Sequence, residues 1–447
     1  MNENNPQSSE TRFTRRDFLK TTSTVAIGGA FAGTFPGKAF ARNDDTLKLA
    51  LVGCGGRGSG AAGQALSTSG NVKLVAVADA FEDRLQAGLG NLKNSYKDKV
   101  DVAPEHQFIG FDGYKQAIAL ADVVILATPP GFRPIHFEEA VKQGKNIFME
   151  KPVAIDATGV RRVLAAAEEA KKKNLKIGVG LQRRHQKGYL ETLQRIQDGA
   201  IGDVVAMRCY WNGSTPWVRT RADEEQKAKR KLTEMEYQMR NWYYFNWLCG
   251  DHINEQHIHN LDVINWIKNG HPVRAQGLGG CEVRKGPDYG EIFDHHFVEF
   301  EYEDGSRLSS ECRHIDKCWN KVSEHAVGTK GLVDLDSGGR WSIKGANPWK
   351  FDNENQRDPY QQEHDDLFAA IREDKPYNEA ERGAISTMTA IFGRMATYSG
   401  KMLEWDEAIN SKIDLMPKSF AWDSNPPVLP DEQGFYPHAV PGKSIIV

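Results

Sequence analysis

Three stretches of the 447-residue chain hold residues whose types and spacing could do chemistry. The first, Gly53-Cys54-Gly55-Gly56-Arg57-Gly58, is a G-x-G-x-x-G loop directly after an apolar run. Glycines there permit a tight turn and let backbone N–H groups approach a pyrophosphate, and a helix opening at the loop adds the partial positive charge of its N-terminus. Asp79 closes the next apolar run, where an acid hydrogen-bonds the adenosine ribose and repels a 2′-phosphate. NAD is therefore the expected cofactor, with Arg57 and Arg84 leaving NADP open. Its expected contacts are Gly53, Gly55, Gly56, Arg57, Gly58 and Asp79, then Thr128, Pro129 and His136, then Glu150 and Lys151.

The second stretch is Glu150-Lys151-Pro152, after a fourth apolar run. A lysine at the carboxyl end of a parallel strand faces the crevice where ligands bind in such sheets. Its ammonium could donate to a substrate hydroxyl and stabilise the developing alkoxide, or shuttle its proton. The third stretch, 250–262, contains His252, Glu255, His257 and His259. If it is helical, Glu255 and His259 are i,i+4 neighbours on one face, with His252 one turn earlier. An imidazole with a pKa near ~6.5 suits proton transfer from an alcohol. The same histidines suggest a metal, but HExxH-like spacing is absent and no metal is assigned. Upstream, Trp242 lies in the aromatic run 241–247, whose flat faces suit a sugar ring. Arg183, Arg184 and His252 complete the candidate substrate contacts.

Such residues need a frame that brings distant segments together. Continuous apolar runs at 47–52, 72–78, 121–127 and 146–149 alternate with helical stretches, among them 59–66 and 154–173, and a further strand is expected at 176–180. That alternation predicts βαβ units around a parallel sheet buried on both faces. Beyond residue 200 the pattern changes to period-2 alternation at 204–210, 297–302 and 306–311, which predicts an antiparallel sheet with one wet face. Helical patterns at 364–372 and 380–393 are expected to pack back on the first domain.

With the glycine loop, Ala127-Thr128-Pro129-Pro130 and Glu150-Lys151-Pro152 in this order, the chain resembles the Gfo/Idh/MocA family of oxidoreductases over about residues 46–405. The resemblance includes Gly199-Ala200-Ile201-Gly202-Asp203-Val204 and the late segment 394–401. It implies an α/β protein: an N-terminal Rossmann doubly wound parallel sheet (46–180), then an α+β domain with a large open, mainly antiparallel sheet (181–405), and a C-terminal extension (406–447). It also implies a catalytic Lys151 and homo-oligomers formed through the open sheet. The family shows Asp-x-x-x-His where this chain has Glu255-x-x-x-His259. His259 is accordingly expected to exchange the substrate hydroxyl proton, with Lys151 assisting and Glu255 orienting.

Residues 1–41 read as a twin-arginine export signal: Arg15-Arg16 before Phe18-Leu19-Lys20, an apolar stretch at 25–35, and Ala39-Phe40-Ala41 as the cleavage site. The expected location is the periplasm or beyond, with the export machinery as a partner. A net charge of −3 without a basic block argues against nucleic acid, and no apolar run is long enough for a membrane span. The expected activity is oxidation of a secondary hydroxyl of a sugar, glycoside or polyol, with NAD loaded before export and recycled in place. The alternative is a redox-neutral, NAD-dependent glycosidase resembling glycoside hydrolase family 109. That pattern lacks the lysine and carries Gly-His-Gly-Gly late in the chain, where this sequence reads Gln361-Gln362-Glu363-His364.

Overall fold

The computed structural model describes residues 45–353 and 356–446, so the export signal expected at 1–41 lies outside the described residues. Strands β1 (Leu47–Val52), β2 (Val72–Asp79), β3 (Gln107–Ile109), β4 (Val123–Leu126), β5 (Asn146–Met149) and β6 (Ile177–Val179) form a parallel sheet in the order β3-β2-β1-β4-β5-β6. The reversal of direction between β1 and β4 opens a crevice at the carboxyl ends of the strands. Every residue of β4 is buried, as the unbroken Val-Val-Ile-Leu run requires of a strand covered on both faces. Strand β3 has no sequence signal of its own: it is three residues long, with none fully buried. The helix expected at 154–173 runs Ala157–Lys172, because Asp156 accepts a hydrogen bond from the Gly159 amide at 2.7 Å and caps it.

Nine further strands form the second sheet: β7 (Val204–Gly213), β8 (Arg274–Gly280), β9 (His295–Glu301), β10 (Arg307–His314), β11 (Lys321–Gly328), β12 (Gly331–Asp336), β13 (Arg340–Gly345), β14 (Trp349–Lys350) and β15 (Leu403–Glu404). Their order is β14-β13-β12-β11-β7-β10-β9-β8-β15, and every pairing is antiparallel except the central β7–β10, which is parallel. Side chains of β10 alternate between buried and partly exposed along its length, the period-2 signature of a half-covered sheet. The helices Ile258–Lys268 and Ala380–Ser399 cover the inner face. Leu278, Phe297 and Val327 stand on the other face, exposed.

The chain returns twice to the parallel sheet. The helix Pro359–Arg372, capped by Asp358, buries Leu367 and Phe368 in the core formed by β1, β2 and β5, and the His364 ring packs tilted against Phe148 with centroids 4.0 Å apart. The extension beyond residue 405 then docks through Leu415, whose amide donates to Asp156 Oδ2 at 2.8 Å, and through Trp422, which packs on Phe81 and Phe111 with ring centroids 5.0 and 4.5 Å apart. Leu367 has no exposed surface and lies against Gly178 of β6. Leu367→Ala is expected to cost about 2–5 kcal/mol, read as a lower urea midpoint. A loss below about 1 kcal/mol would mean that this helix is not integral to the core.

Candidate active site

The glycine loop is shaped by close approach. Gly53 has φ +97°, and a Cβ on Gly58 would sit 1.9 Å from the Gly53 carbonyl oxygen, so neither position admits a side chain. Gly55 and Gly56 face open space instead. The helix Gly56–Leu66 begins there with no side-chain cap and no acid in its first turn, leaving its leading amides for a ligand. Asp79, at the end of β2, fixes the loop by accepting from the amides of Cys54 at 2.7 Å and Phe81 at 2.9 Å. Burial raises its carboxyl above the ordinary value, against the pull of those two amides. Glycine loop, bare helix terminus and ribose acid all border one cavity of about 590 Å³, which fits an elongated dinucleotide.

Thr128, Pro129, His136, Glu150 and Lys151 border the same cavity. His136 meets Thr128 Oγ1 through Nδ1 at 3.1 Å, and burial holds its pKa at about 3, so the ring is neutral. Glu150 forms an ion pair with Arg57, whose guanidinium also reaches Glu363 at 3.4 Å and lies over the Tyr360 ring at 5.0 Å. Arg57 is thereby committed to this end of the groove. Arg84, Arg219, Met239, Arg240 and Trp242 close over the Asp79 end, with Arg240 resting on Phe81 at 4.1 Å.

Lys151 leaves the end of β5 and points into the second domain. Its Nζ donates to the main-chain oxygen of Glu255 and, at 2.9 Å, to Glu255 Oε1. Burial raises the Glu255 carboxyl while the Lys151 charge opposes the shift, and Oε2 has no hydrogen-bond partner among the described residues. His259 lines the cavity beside them, stacked on Trp211 with centroids 5.9 Å apart. Burial, then the charges of Lys151, Arg183 and Arg57, push its pKa well below the ordinary imidazole value. The result is a neutral base next to a cation. Arg183 also lines the cavity, paired with fully buried Glu324, which is held in turn by Tyr189 Oη at 3.0 Å.

Several expectations need correction. Residues 250–262 are not one helix: His252–Glu255 is a single turn, and a second helix starts at Ile258. Glu255 therefore meets Lys151 rather than His259. His252 faces away from the cavity, its Nδ1 between Asp251 Oδ1 at 2.8 Å and the Phe293 carbonyl at 3.1 Å. Arg184 is also elsewhere, bound to Asp262 through Nε and Nη2 over the Trp266 ring. His257 sits in the core, against Ser310 Oγ at 2.7 Å. Asp251, His252 and His296 bring possible ligand atoms within 4.8 Å of one another, a grouping the metal reading did not consider. The Asp251 carboxylate is taken up by Tyr398 Oη at 2.6 Å, the Phe293 amide at 3.0 Å and His252. Trp211, Trp217, Gln256 and Tyr360 line the cavity without having been singled out; only Trp211 had a signal, as an aromatic extending the alternation of β7.

A family model described as an oxidoreductase family with an NAD-binding Rossmann fold, GFO_IDH_MocA, matches residues 47–179. An inositol 2-dehydrogenase of Ralstonia nicotianae is 26% identical over 309 residues, spanning 67% of this chain and 77% of that protein. An aldose-aldose oxidoreductase from Caulobacter crescentus, crystallised with glycerol, shares the fold with a TM-score of 0.64 at 17% identity, over 80% of this chain and 100% of that one. The scyllo-inositol dehydrogenase of Lactobacillus casei with bound NAD(H) and scyllo-inositol aligns at a TM-score of 0.58 and 18% identity, over 81% and 99%. The chain is an oxidoreductase whose residues 47–179 match the NAD-binding Rossmann domain of the Gfo/Idh/MocA model.

Proposed function

We propose that the protein oxidises a secondary hydroxyl of a sugar, glycoside or polyol to a carbonyl, using an NAD that stays bound. The observation that carries this reading is the meeting of Lys151, from the dinucleotide domain, with His259, from the second domain, in the cavity bordered by the glycine loop. Nicotinamide bound in that groove supplies an acceptor for hydride. Lys151 commits two donors to Glu255, which leaves one ammonium N–H for the substrate oxygen. His259, held neutral, takes the hydroxyl proton as the C–H bond releases its hydrogen and electron pair, and the carbon becomes a carbonyl. Trp211, stacked on His259, offers a flat face to a ring bearing hydroxyls. The inositol and aldose oxidoreductases among the relatives support the same substrate class.

Asp79 at the ribose position favours NAD over NADP. Retention of the cofactor is supported by the cover of Arg219, Met239, Arg240 and Trp242 over the adenosine end of the groove. It also suits the reading of residues 1–41 as a twin-arginine signal, because nucleotide lost outside the cytoplasm would not be replaced. The exposed outer face at Leu278, Phe297 and Val327 supports association into homo-oligomers.

Three outcomes are expected. Purified protein carries stoichiometric nicotinamide, and a panel of polyols and glycosides reduces it without releasing an aglycone. Cleavage without net reduction would establish the glycosidase instead. Lys151→Met and His259→Ala each lower kcat by about 10²–10⁴ while bound nucleotide is retained, and unchanged kcat in either would remove that residue from the chemistry.

The His259 imidazole, followed by NMR, stays neutral as pH falls below ~6.5, since its folded pKa is depressed. In Lys151→Met it titrates at higher pH, because a neighbouring positive charge is gone; an unmoved titration would contradict the coupling. Replacing Arg15 and Arg16 by lysine leaves the protein in the cytoplasm, and continued export of that variant would refute the address.

A further inference from the structure

The backbone at Asp251 adopts a conformation almost reserved for glycine, with φ +71° and ψ 163°. Gly250 before it is also left-handed, at φ +74°. Together they turn the chain from the helix Asn246–Cys249 into the turn His252–Glu255, whose last residue holds Lys151. Glycine at 251 would make this bend without strain, so the strain points to a task for the carboxylate.

That carboxylate is fully buried, and its partners come from separate parts of the second domain. Oδ2 accepts from Tyr398 Oη of the helix Ala380–Ser399 at 2.6 Å and from the Phe293 amide at 3.0 Å, and it lies 3.3 Å from His296 Nε2 of β9. Oδ1 accepts from the His252 amide and meets His252 Nδ1 at 2.8 Å. Asp251 thereby fastens the start of the turn to the second sheet and to the helix that covers it. The other end of the turn is tied to the dinucleotide domain, where Asn254 Nδ2 donates to the Ala154 carbonyl at 3.0 Å. Between these anchors Glu255 presents both its main-chain oxygen and Oε1 to Lys151 Nζ. A single helical turn does not hold such an aim by its own hydrogen bonds.

We propose that Asp251 is a positioning residue for the reaction. Its buried carboxylate fixes the turn His252–Glu255 so that Glu255 directs the remaining Lys151 N–H at the substrate oxygen. The inference rests on the reading of Lys151 as the group that meets that oxygen. Asp251 itself does not line the active-site cavity and acts through Glu255.

The test uses the full chain with its bound nucleotide, and reduction of the nicotinamide by myo-inositol, xylitol or methyl glucoside supplies kcat and KM. Asp251→Gly relieves the backbone and removes the anchor. Its kcat is expected to fall about tenfold or more with KM changed less than about twofold, the pattern of an interaction felt only in the transition state. Nucleotide content and Tm should stay near those of the unaltered protein. In the Lys151→Met background the same change should cost less than about twofold, because the group it positions is gone. Should Asp251→Gly not fold, Tyr398→Phe removes one anchor with the backbone untouched and should give a weaker kcat loss, again only when Lys151 is present. Unaltered kcat in both variants, or equal losses with and without Lys151, would overturn the positioning role alone. Full activity of Lys151→Met, or no reduction by any of the three probes, would instead overturn the reading of the site on which that role rests.

Discussion

The contact between Lys151 and Glu255 is the point at which the two domains become one site. A lysine at the carboxyl end of a parallel strand has a long, flexible stem, and an ammonium with no fixed partners would sample many positions. Here two of its three donors are committed, one to the Glu255 carboxylate and one to the Glu255 main-chain oxygen. That bidentate grip from a single residue fixes the direction of the third donor. It also ties the crevice of the parallel sheet to the turn that precedes the helix carrying His259, while the core shared by both sheets sets their spacing.

Charge explains why the rest of the neighbourhood is built as it is. Lys151, Arg183 and Arg57 all bear on the buried His259 and favour its neutral form. Such a concentration of cations would be unstable in a low-dielectric cleft unless each had an anion. Each has one: Glu255 for Lys151, Glu324 for Arg183, and Glu150 with Glu363 for Arg57. These partners come from four separate parts of the chain, including β11 and the helix Pro359–Arg372. The second domain and the returning helix thus contribute electrostatics as well as walls.

Much of this was legible from residue types. The glycine loop, Asp79 and the lysine after β5 carry signals that depend on local geometry alone, and the apolar runs marked five of the six parallel strands because a doubly covered strand must be apolar throughout. What was missed depends on tertiary context. The break between Glu255 and Ile258 has no proline or glycine to announce it, and it turns Glu255 from His259 towards Lys151. His252 and Arg184 have the right chemistry for a substrate site, but Asp251 and Asp262 claim them, and those carboxylates are placed by packing that no spacing rule reveals. Glu324 is a sheet residue far along the chain, recognisable as part of the site only once β11 lies beside β7.

The groove itself links fold to biological setting. Its floor comes from the loop after β1 and the end of β2, but its cover comes from Arg219, Met239, Arg240 and Trp242 of the second domain. Phe81, at the groove's edge, is in turn pressed by Trp422 of the C-terminal extension. A dinucleotide can therefore be enclosed only after three separated portions of the chain have folded together, and it can leave only if that packing opens. Under the proposed export of the folded protein, the compartment where folding finishes decides whether the site is loaded, and the packing of Trp422 and Arg240 on Phe81 opposes release of what it holds.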